Sequence, residues 1–456
     1  MLSLSLSILT LVSLGAIENL GISTAMPIVE RQFGHIGLYG WVFAAYSLSS
    51  LFGGSFFGVF GDRYSLRRSL GVAVGVFAFG LALGGVSTSM MTLVGSRIVQ
   101  GFGYGGFVVL PYMMISRHFE GNQKAKMLAA MASAWIVPSL FIPPLAGIVA
   151  ESLSWRLVFL GVVPIALASG LLADRALRKI EGDLKSFVQE RASIRQVAVR
   201  SLGGLGSALS VGMMIYSISV ENTLVKYVVL FVGVVVFVAS TVRLLLASEL
   251  FRKRDTVFIL LTRGLSSFAF FGVESFLPFV LFTVKKMPIA EAGLVLTASS
   301  FSWTAGSWIQ ARASRFVSFK VRVGVGLGIF VISLSALWLN FYDTRLPGGL
   351  SIVIWFVAGA GMGVVYPSIT LAGLGSAKKG SDSQISSLLQ IFDTGGFAIS
   401  TGLIGALLAS GINSLQGGVR IERYASNYEV SIVVACAVAL ASLLFLISGR
   451  YSFLKS

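Results

Sequence analysis

Charged residues, histidines and cysteines are scarce in this sequence. Only 12% of its 456 residues are charged, two are histidine, and Cys436 is its one cysteine. A soluble globular protein has about 25% charged residues, so a surface of ordinary soluble composition is excluded. The single cysteine also excludes an intramolecular disulfide bond.

Motifs for nucleotide hydrolysis, covalent catalysis and metal binding are absent too. The sequence has no G-x-x-x-x-G-K-S/T loop and no Ser-His-Asp, Cys-His or metal-ligand spacing. The stretch GFGYGG at 101–106 resembles a dinucleotide fingerprint, but it follows no soluble strand, and we reject that interpretation. We therefore expect no cofactor, no metal and no enzymatic activity.

Basic residues outnumber acidic residues by 35 to 19, which gives a net charge of +16. Such an excess is typical of nucleic-acid binding, or of a membrane protein whose cytoplasmic loops collect Lys and Arg. The sequence is 55% hydrophobic and has a mean hydropathy of +0.86. These values favour the second interpretation, so we expect a lipid bilayer and no nucleic acid as the partner.

Apolar runs of about 20 residues, the length that crosses a bilayer, recur along the whole chain. The N-terminal run has no basic region before it, so we predict a first span there and not a cleaved signal. We predict an all-α polytopic membrane protein with fourteen transmembrane helices, near residues 3–28, 38–60, 69–88, 91–117, 125–150, 156–175, 201–220, 227–247, 256–284, 292–312, 322–341, 349–374, 384–410 and 428–449.

The distribution of Lys and Arg predicts the orientation of these spans. With both termini in the cytoplasm, 25 basic residues fall in cytoplasmic loops, 8 in the opposite loops and 2 within spans. A shift by one span would invert this bias, which favours an even number of spans. We therefore expect a multi-pass protein of the plasma membrane with both termini cytoplasmic.

A polar stretch divides the predicted spans into groups. We expect a six-helix bundle in residues 1–175, a cytoplasmic connector in 176–200, two additional helices in 201–250 and a second six-helix bundle in 251–456. Pairs of bundles around a central site are typical of transporters. No sequence feature indicates a subunit contact, and we expect a monomer.

The arginine at position 97 lies inside the fourth predicted span. An arginine in hydrocarbon costs about 2.5 kcal/mol or more, so it normally faces a partner or a water-filled cavity. Glu18 lies at a similar depth in the first span, which predicts that it pairs with Arg97. The pair either exchanges protons or acts only as a permanent ion pair that supports packing.

Three further charges lie within spans. Glu274 stands among phenylalanines and suits a proton carrier, an anchor for a lipophilic cation, or a structural acid bonded to a neighbouring Ser or Tyr. Asp393 lies beside Gln390 and is either a proton-coupling acid or structural. Arg263 is near the cytoplasmic end of its span, and we interpret it as a structural residue that snorkels.

Several stretches match sequence motifs of a known family. They are ENLGISTAMP at 18–27, GVFGDRYSLRRSL at 58–70, RIVQGFGYG at 97–105 and SWRLVFLGVVP at 154–164. Together they resemble the major facilitator superfamily and, within it, the fourteen-span drug:proton antiporters. Glu18 replaces the usual Asp, and the span-5 motif is matched only in part, because its second Pro and final Gly fit while two usual glycines are missing.

The resemblance implies a major facilitator fold and proton-coupled export of lipophilic or cationic small molecules by alternating access. Its motifs assign proton coupling to Glu18 and Arg97, and we add Glu274 and Asp393 as further acids. The substrate-binding candidates are Glu274, Gln100, Tyr104, Tyr46, Trp135 and Gln390, although the aromatic ones also suit plain packing. The gating candidates are Asp62, Arg63, Arg67, Arg68, Pro144 and Gly147.

Two other interpretations remain open at this point. The same fold with a different cargo would export a lipid, an amino acid or another metabolite, and the phenylalanines around Glu274 allow an apolar cavity. A non-transporting receptor or scaffold belongs to another class, and three acids within spans are a costly feature for such a protein.

Overall fold

A computed structural model of the chain describes residues 2–120, 133–181, 254–376 without 315 and 344, 382–410 and 417–448, together with single positions between 121 and 132 and between 206 and 236. Over these residues it contains helices and no strands. The α-helices are α1 (Leu2–Phe33), α2 (Ile36–Arg63), α3 (Leu66–Gly85), α4 (Met90–His118), α5 (Ile136–Val149), α6 (Arg156–Leu160), α7 (Val162–Glu181), α8 (Arg254–Thr283), α9 (Ile289–Ala313), α10 (Phe319–Tyr342), α11 (Leu350–Ser376), α12 (Asp382–Ala409) and α13 (Gly417–Ser448).

Eleven helical segments among the described residues are long and apolar enough to cross a membrane. A π-helical turn, Ala150–Ser154, extends α5, and α9 is a 25-residue helix that packs among the others although it is not one of the eleven. An all-helical membrane protein is therefore confirmed. The predicted count of fourteen spans is not confirmed, because the two additional helices predicted in 201–250 lie outside the described residues apart from single positions. Residues 176–181 of the predicted connector continue α7, and residues 182–200 lie outside the described residues.

The helices pack in two groups, α1–α7 and α8–α13. In the first group α2 and α3 pack on α4, while α1 packs on α5 and α7. In the second group α8 packs on α12 and α13, and α11 packs on α9 and α10. Contacts of α2 with α12, of α5 with α9 and of α1 with α8 join the groups.

The glycines of α4 allow α2 to approach it closely. A Cβ atom on Gly101 would lie 2.2 Å from the carbonyl oxygen of Tyr46, and one on Gly105 would lie 2.2 Å from the backbone nitrogen of Gly54. Small residues at a helix contact let two backbones come together in this way. These glycines therefore leave one face of α4 bare, and Arg97 on the same helix contacts α2 through its bond to the carbonyl oxygen of Val42.

The two groups meet tightly at one end. We call the end at which α1 begins and α13 ends the termini side, and the opposite end the far side. Near the far side, a Cβ atom on Gly40 of α2 would lie 2.3 Å from the carbonyl oxygen of Thr401 of α12. One on Gly147 of α5 would lie 2.6 Å from the Cα atom of Ala290 of α9. Backbones this close leave no passage between these helices on the far side.

Burial changes along helix α8. Its half-buried residues form one stripe at helical spacing that includes Leu265, Phe268, Phe271 and Glu274, while residues 275–281 are all buried. Glu274 is therefore the last half-buried position of the stripe before the fully covered segment next to the far side.

Candidate functional site

A fully buried ion pair joins α1 to α4. The guanidinium nitrogen Nη1 of Arg97 donates to Oε1 of Glu18, and the two side chains are 1% and 0% exposed. The predicted pairing is therefore confirmed. The role of this pair in proton coupling stays a prediction.

Two more side chains complete this cluster. Nη1 of Arg97 also donates to Oε1 of Gln100 at 2.6 Å, and Nε2 of Gln100 donates to Oε1 of Glu18 at 3.1 Å. The guanidinium lies 3.9 Å from the ring centroid of Tyr46, and its Nε donates to the carbonyl oxygen of Val42 at 3.1 Å. Residues three apart on a helix share a face, which brings Gln100 beside Arg97.

One oxygen of the buried carboxylate has no donor. Oε2 of Glu18 and the hydroxyl of Tyr46 both lack a hydrogen bond among the described residues. A buried carboxylate oxygen left without a donor costs about 1–3 kcal/mol or more, so the closed ion pair leaves one oxygen of Glu18 unsatisfied. Gln100 is engaged in the ion pair in this conformation, and its predicted contact with substrate stays a prediction.

A second ion pair joins α8 to α12. Nε and Nη2 of Arg263 donate to the two carboxylate oxygens of Asp393 at 3.0 and 3.2 Å. The hydroxyl of Tyr366 donates to Oδ1 of Asp393 at 3.0 Å. The guanidinium lies 3.7 Å from the ring centroid of Tyr366. This geometry corrects the interpretation of Arg263 as a snorkelling residue, because a bidentate acid and an aromatic face hold it within the bundle.

The two clusters share a chemistry but differ in burial. Each holds an arginine between an acid and the face of a tyrosine, a favourable cation–π geometry. The side chains of Arg263 and Asp393 are 14% and 18% exposed, whereas the Glu18–Arg97 pair is closed to water. The second pair is therefore partly exposed, while the first lies within a helix contact.

The third acid, Glu274, has neutral partners. The hydroxyl of Ser299 on α9 donates to its Oε1 at 2.6 Å, and Nε1 of Trp355 on α11 donates to the same oxygen at 3.1 Å. Among the described residues no cation is within ion-pair distance of it. Sequence reasoning missed Ser299 and Trp355, since neutral residues in apolar runs carry no signal, although it did foresee a serine partner as the structural alternative.

Three further predicted binding residues, Tyr104, Trp135 and Gln390, form no hydrogen bond with these acids among the described residues. The ring of Tyr104 stacks on that of Tyr46 with centroids 5.1 Å apart. Trp135 is exposed just before α5. Gln390 is exposed on α12 and donates to the hydroxyl of Thr394 at 3.1 Å. Substrate binding by Tyr104, Trp135 and Gln390 stays a prediction.

The gating candidates fall into two places. On the termini side, Arg67 forms an ion pair with Asp174 of α7, which also accepts from Arg178 at 3.0 Å. Both partners belong to the first helix group, so in this conformation Arg67 ties that group together. The side chains of Asp62 and Arg63 lie outside the described residues.

Arg68 is exposed, and its backbone N–H donates to the hydroxyl of Ser65, which caps α3. On the far side, Gly147 forms the close contact of α5 with α9 described above, and the half-buried Pro144 lies one turn before it in α5. Pro144 and Gly147 therefore occupy a joint between the two groups, and the role in gating stays a prediction.

Comparison with known proteins agrees with this architecture. The family model of the Major Facilitator Superfamily matches residues 6–401. The chain belongs to the major facilitator superfamily. The protein is accordingly a multi-pass membrane transporter and not an enzyme.

Relatives in this superfamily are similar to the chain at low identity. Multidrug transporter protein MdtP of Bacillus subtilis is 25% identical over 398 residues, which cover 86% of the chain and 72% of MdtP. Efflux pump FUS6 of Gibberella fujikuroi is 24% identical over 365 residues, which cover 78% of the chain and 65% of FUS6. The chain thus spans less than two thirds of the length of the fungal pump.

A solved structure shares the fold. The crystal structure of a bacterial homolog to the human lysosomal transporter Spinster, in an inward-facing and occupied conformation, superposes with a TM-score of 0.68. The two chains are 15% identical, and the match covers 99% of this chain and 97% of the other. At this identity the likeness supports the fold alone.

Proposed function

We propose that this transporter exports lipophilic, cationic small molecules from the cytoplasm in exchange for protons, by alternating access. In this proposal it lies in the plasma membrane with both termini cytoplasmic, so the termini side is the cytoplasmic side. The relatives named as a multidrug transporter and an efflux pump support the choice of cargo and direction.

The environment of Glu274 is the observation that carries this proposal. The side chain of Glu274 is half-buried, with two neutral donors and no cation within ion-pair distance among the described residues. Phe271 lines the same stripe one turn away. An unpaired acid beside aromatic faces in a low-dielectric space attracts a lipophilic cation by charge and by cation–π contact.

The cluster around Glu18 supplies the proton-coupling site in this proposal. In this proposal Glu18 takes up a proton in the step in which α1 moves against α4 and separates it from Arg97. One inward proton contributes about 2.3 kcal/mol per 100 mV of membrane potential and about 1.4 kcal/mol per pH unit. One-for-one exchange with a monovalent cation moves no net charge, so only the pH gradient drives it, and it sustains a cation gradient of about tenfold per pH unit. For a neutral cargo both contributions, roughly 3.7 kcal/mol, would sustain a gradient of several hundredfold.

Alternating access requires that the far side open while the termini side closes. The contacts of Gly40 with Thr401 and of Gly147 with Ala290 would separate in that step. The latch on the termini side would then consist of Asp62, Arg63, Arg67 and Arg68. Arg67 would contribute to it through its bond to Asp174.

The coupling role is tested in proteoliposomes with a preset pH gradient and tetraphenylphosphonium as the cation. We expect Glu18→Gln to abolish transport driven by the pH gradient while the protein remains folded. Glu291→Gln, which removes an exposed carboxylate at the start of α9, is the matched control and should transport normally. Full pH-driven transport by the Glu18 variant would exclude the coupling role.

The cation site is tested by comparing cargos. We expect Glu274→Gln to lose transport of tetraphenylphosphonium far more than transport of a neutral lipophilic compound, since only the cation uses the charge. Equal losses of both would indicate a structural acid.

A second cargo class is favoured by one feature of α8. Phe268 and Phe271 are half-buried in the same stripe as Glu274, and an aromatic wall of this kind would also accept a lipid or another apolar metabolite. Transport of a neutral lipid that survives Glu274→Gln would support this alternative. The receptor or scaffold interpretation is set aside, because the chain belongs to a transporter superfamily.

A further inference from the structure

The two hydrogen bonds to Glu274 converge on one of its oxygens. Ser299 and Trp355 both donate to Oε1, at 2.6 and 3.1 Å. No hydrogen bond from a described residue reaches Oε2, and Oε2 is not among the buried polar atoms without a partner. The carboxylate is therefore asymmetric: one oxygen is occupied by the protein and the other remains available.

The indole donor makes this asymmetry permanent, whereas the Ser299 hydroxyl has a second acceptor, the carbonyl oxygen of Leu296 at 3.1 Å. An indole N–H donates and never accepts a hydrogen bond. Trp355 is fully buried and stacks on Phe270 with centroids 5.0 Å apart, so its N–H has no access to water as an alternative partner. A proton on Oε1 would leave that buried N–H without an acceptor, which is costly. A proton on Oε2 leaves both hydrogen bonds intact.

We propose that Trp355 and Ser299 are positioning residues that keep Oε1 of Glu274 as a permanent acceptor and confine both the proton and the positive charge of the cargo to Oε2. This inference rests on the proposed function. It deepens that function, because the two positive species then compete for one atom. Binding of one monovalent cation to protonated Glu274 must release one proton, whereas binding to the ionised carboxylate releases none.

Among the described residues, no other ionisable group forms a hydrogen bond or an ion pair with Glu274. Helices α9 and α11 contribute the two neutral donors. Asp393 of α12 pairs with Arg263, Glu18 of α1 pairs with Arg97, and the hydroxyl of Tyr428 of α13 donates to the carbonyl oxygen of Val273 at 3.0 Å.

Further ionisable groups lie on the helices packed against α8. Tyr366 of α11 donates to Asp393, and Tyr424 of α13 packs on Phe279 with a hydroxyl that has no hydrogen bond among the described residues. Glu30 of α1 and Glu429 of α13 are two more. The Glu274→Gln variant is therefore the reference that assigns a pH-dependent change in cation binding to Glu274.

The test uses the purified full chain in detergent and two measurements. Calorimetric titration with tetraphenylphosphonium, in buffers of different ionisation enthalpy over a pH series, gives the affinity and the number of protons released. Infrared difference spectra of the wild type against Glu274→Gln follow the protonated carboxyl band of Glu274 with pH and need no ligand. We expect the wild type to release close to one proton per bound cation below its pH midpoint, about half a proton at the midpoint and none well above it.

Loss of either donor should move the midpoint in a defined direction. Trp355→Phe keeps an aromatic ring but removes a hydrogen bond that favours the charged carboxylate. We expect the pH midpoint of both measurements to rise by about one unit, the size that a lost charge-assisted bond implies. Ser299→Ala should shift it the same way, and it tests the idea if the Trp355 variant does not fold.

Matched controls exist for both variants. Trp303→Phe removes another indole N–H, one that does not bond to Glu274. The ring of Trp303 packs on that of Phe270 with centroids 5.3 Å apart. Ser302→Ala removes a buried hydroxyl less than one turn from Ser299 that donates to a backbone carbonyl. Neither should shift the midpoint of the infrared band.

The outcomes separate the inference from the function on which it rests. Unchanged midpoints in folded Trp355→Phe and Ser299→Ala would overturn the positioning role, whatever the cargo. If tetraphenylphosphonium does not bind the wild type, or binds Glu274→Gln with the same affinity, the cation site is wrong. In that case the infrared midpoints of the donor variants still confirm or overturn the positioning role.

Discussion

Arg263 of α8 donates two hydrogen bonds to Asp393 of α12, at 3.0 and 3.2 Å, across 130 residues of sequence. The two side chains are mostly buried, so each keeps the other from being an uncompensated charge within the bundle. Removing one partner of such a pair leaves a charge without its counter-charge, whereas removing both does not.

Arg263→Met should therefore destabilise the protein by about 2 kcal/mol, more than the double variant Arg263→Met/Asp393→Asn. Thermal unfolding of the purified protein in detergent, combined in a double-mutant cycle, measures this coupling. The exposed pair Arg67–Asp174, at 38% and 31% exposure, is the comparison and should show about 1 kcal/mol or less. Similar coupling in both cycles would contradict the structural difference.

Glycines of the α4 face should tolerate substitution according to how close α2 lies. Gly101→Ala would place a methyl group 2.2 Å from the carbonyl oxygen of Tyr46 and should destabilise the fold by about 2 kcal/mol or more, since a backbone must shift. Gly95→Ala on the same helix meets nothing within 4 Å and should be neutral or stabilising by about 0.5–1 kcal/mol. Yield and melting temperature in detergent measure both, and equal effects would argue against the close contact.

The far side should open when its closest contact is obstructed. Gly40→Val would clash with the carbonyl oxygen of Thr401, so it should shift the population away from the conformation described here. In a Cys436→Ala background, the substitution Phe276→Cys introduces a thiol at a buried position. Labelling of this thiol by a membrane-impermeant maleimide reports the opening. We expect faster labelling with Gly40→Val than with Gly37→Ala, whose methyl group would make an ordinary 3.6 Å contact. Equal rates would contradict a far-side closure at Gly40.

Lys285 fastens a loop on the far side. Its Nζ donates to the carbonyl oxygens of Asn340 and Leu346, at 2.7 and 3.0 Å. Lys285→Met should therefore lower stability by about 1–2 kcal/mol, whereas the neighbouring exposed Lys286→Met should not.

The pH dependence of this loss has a defined sign. Burial lowers the pKa of Lys285, and Asp343 opposes the shift. The unfolded chain then binds more protons than the folded one between the two pKa values, so the stability of the wild type rises with pH there. The melting temperature of the wild type should accordingly gain on that of Lys285→Met toward alkaline pH, and a constant difference would contradict this shift.

Sequence reasoning reached the Glu18–Arg97 pair because both residues are charged and lie within long apolar runs. A charge in hydrocarbon requires a partner, and alternating span directions placed the two at one depth. The same reasoning misjudged Arg263, because its distance from the end of the span suggested snorkelling. Nothing in the sequence shows that Asp393 comes within 3.0 Å of it.

The neutral donors to Glu274 were beyond sequence reasoning for a different reason. A serine and a tryptophan in apolar helices are most often packing residues, and their hydrogen bonds depend on where α9 and α11 meet α8. Which oxygen they select, and which oxygen is left for a proton or a cation, is a property of that junction alone.

The amino-acid sequence by itself determined that the protein is helical, spans a membrane and contains charges that must be paired there. Composition and span-length apolar runs carry that information locally, because the bilayer admits few alternatives. Only the tertiary structure decided the partners of those charges and the closed far side. These depend on contacts between helices far apart in sequence, where a glycine or a single hydrogen bond selects one arrangement.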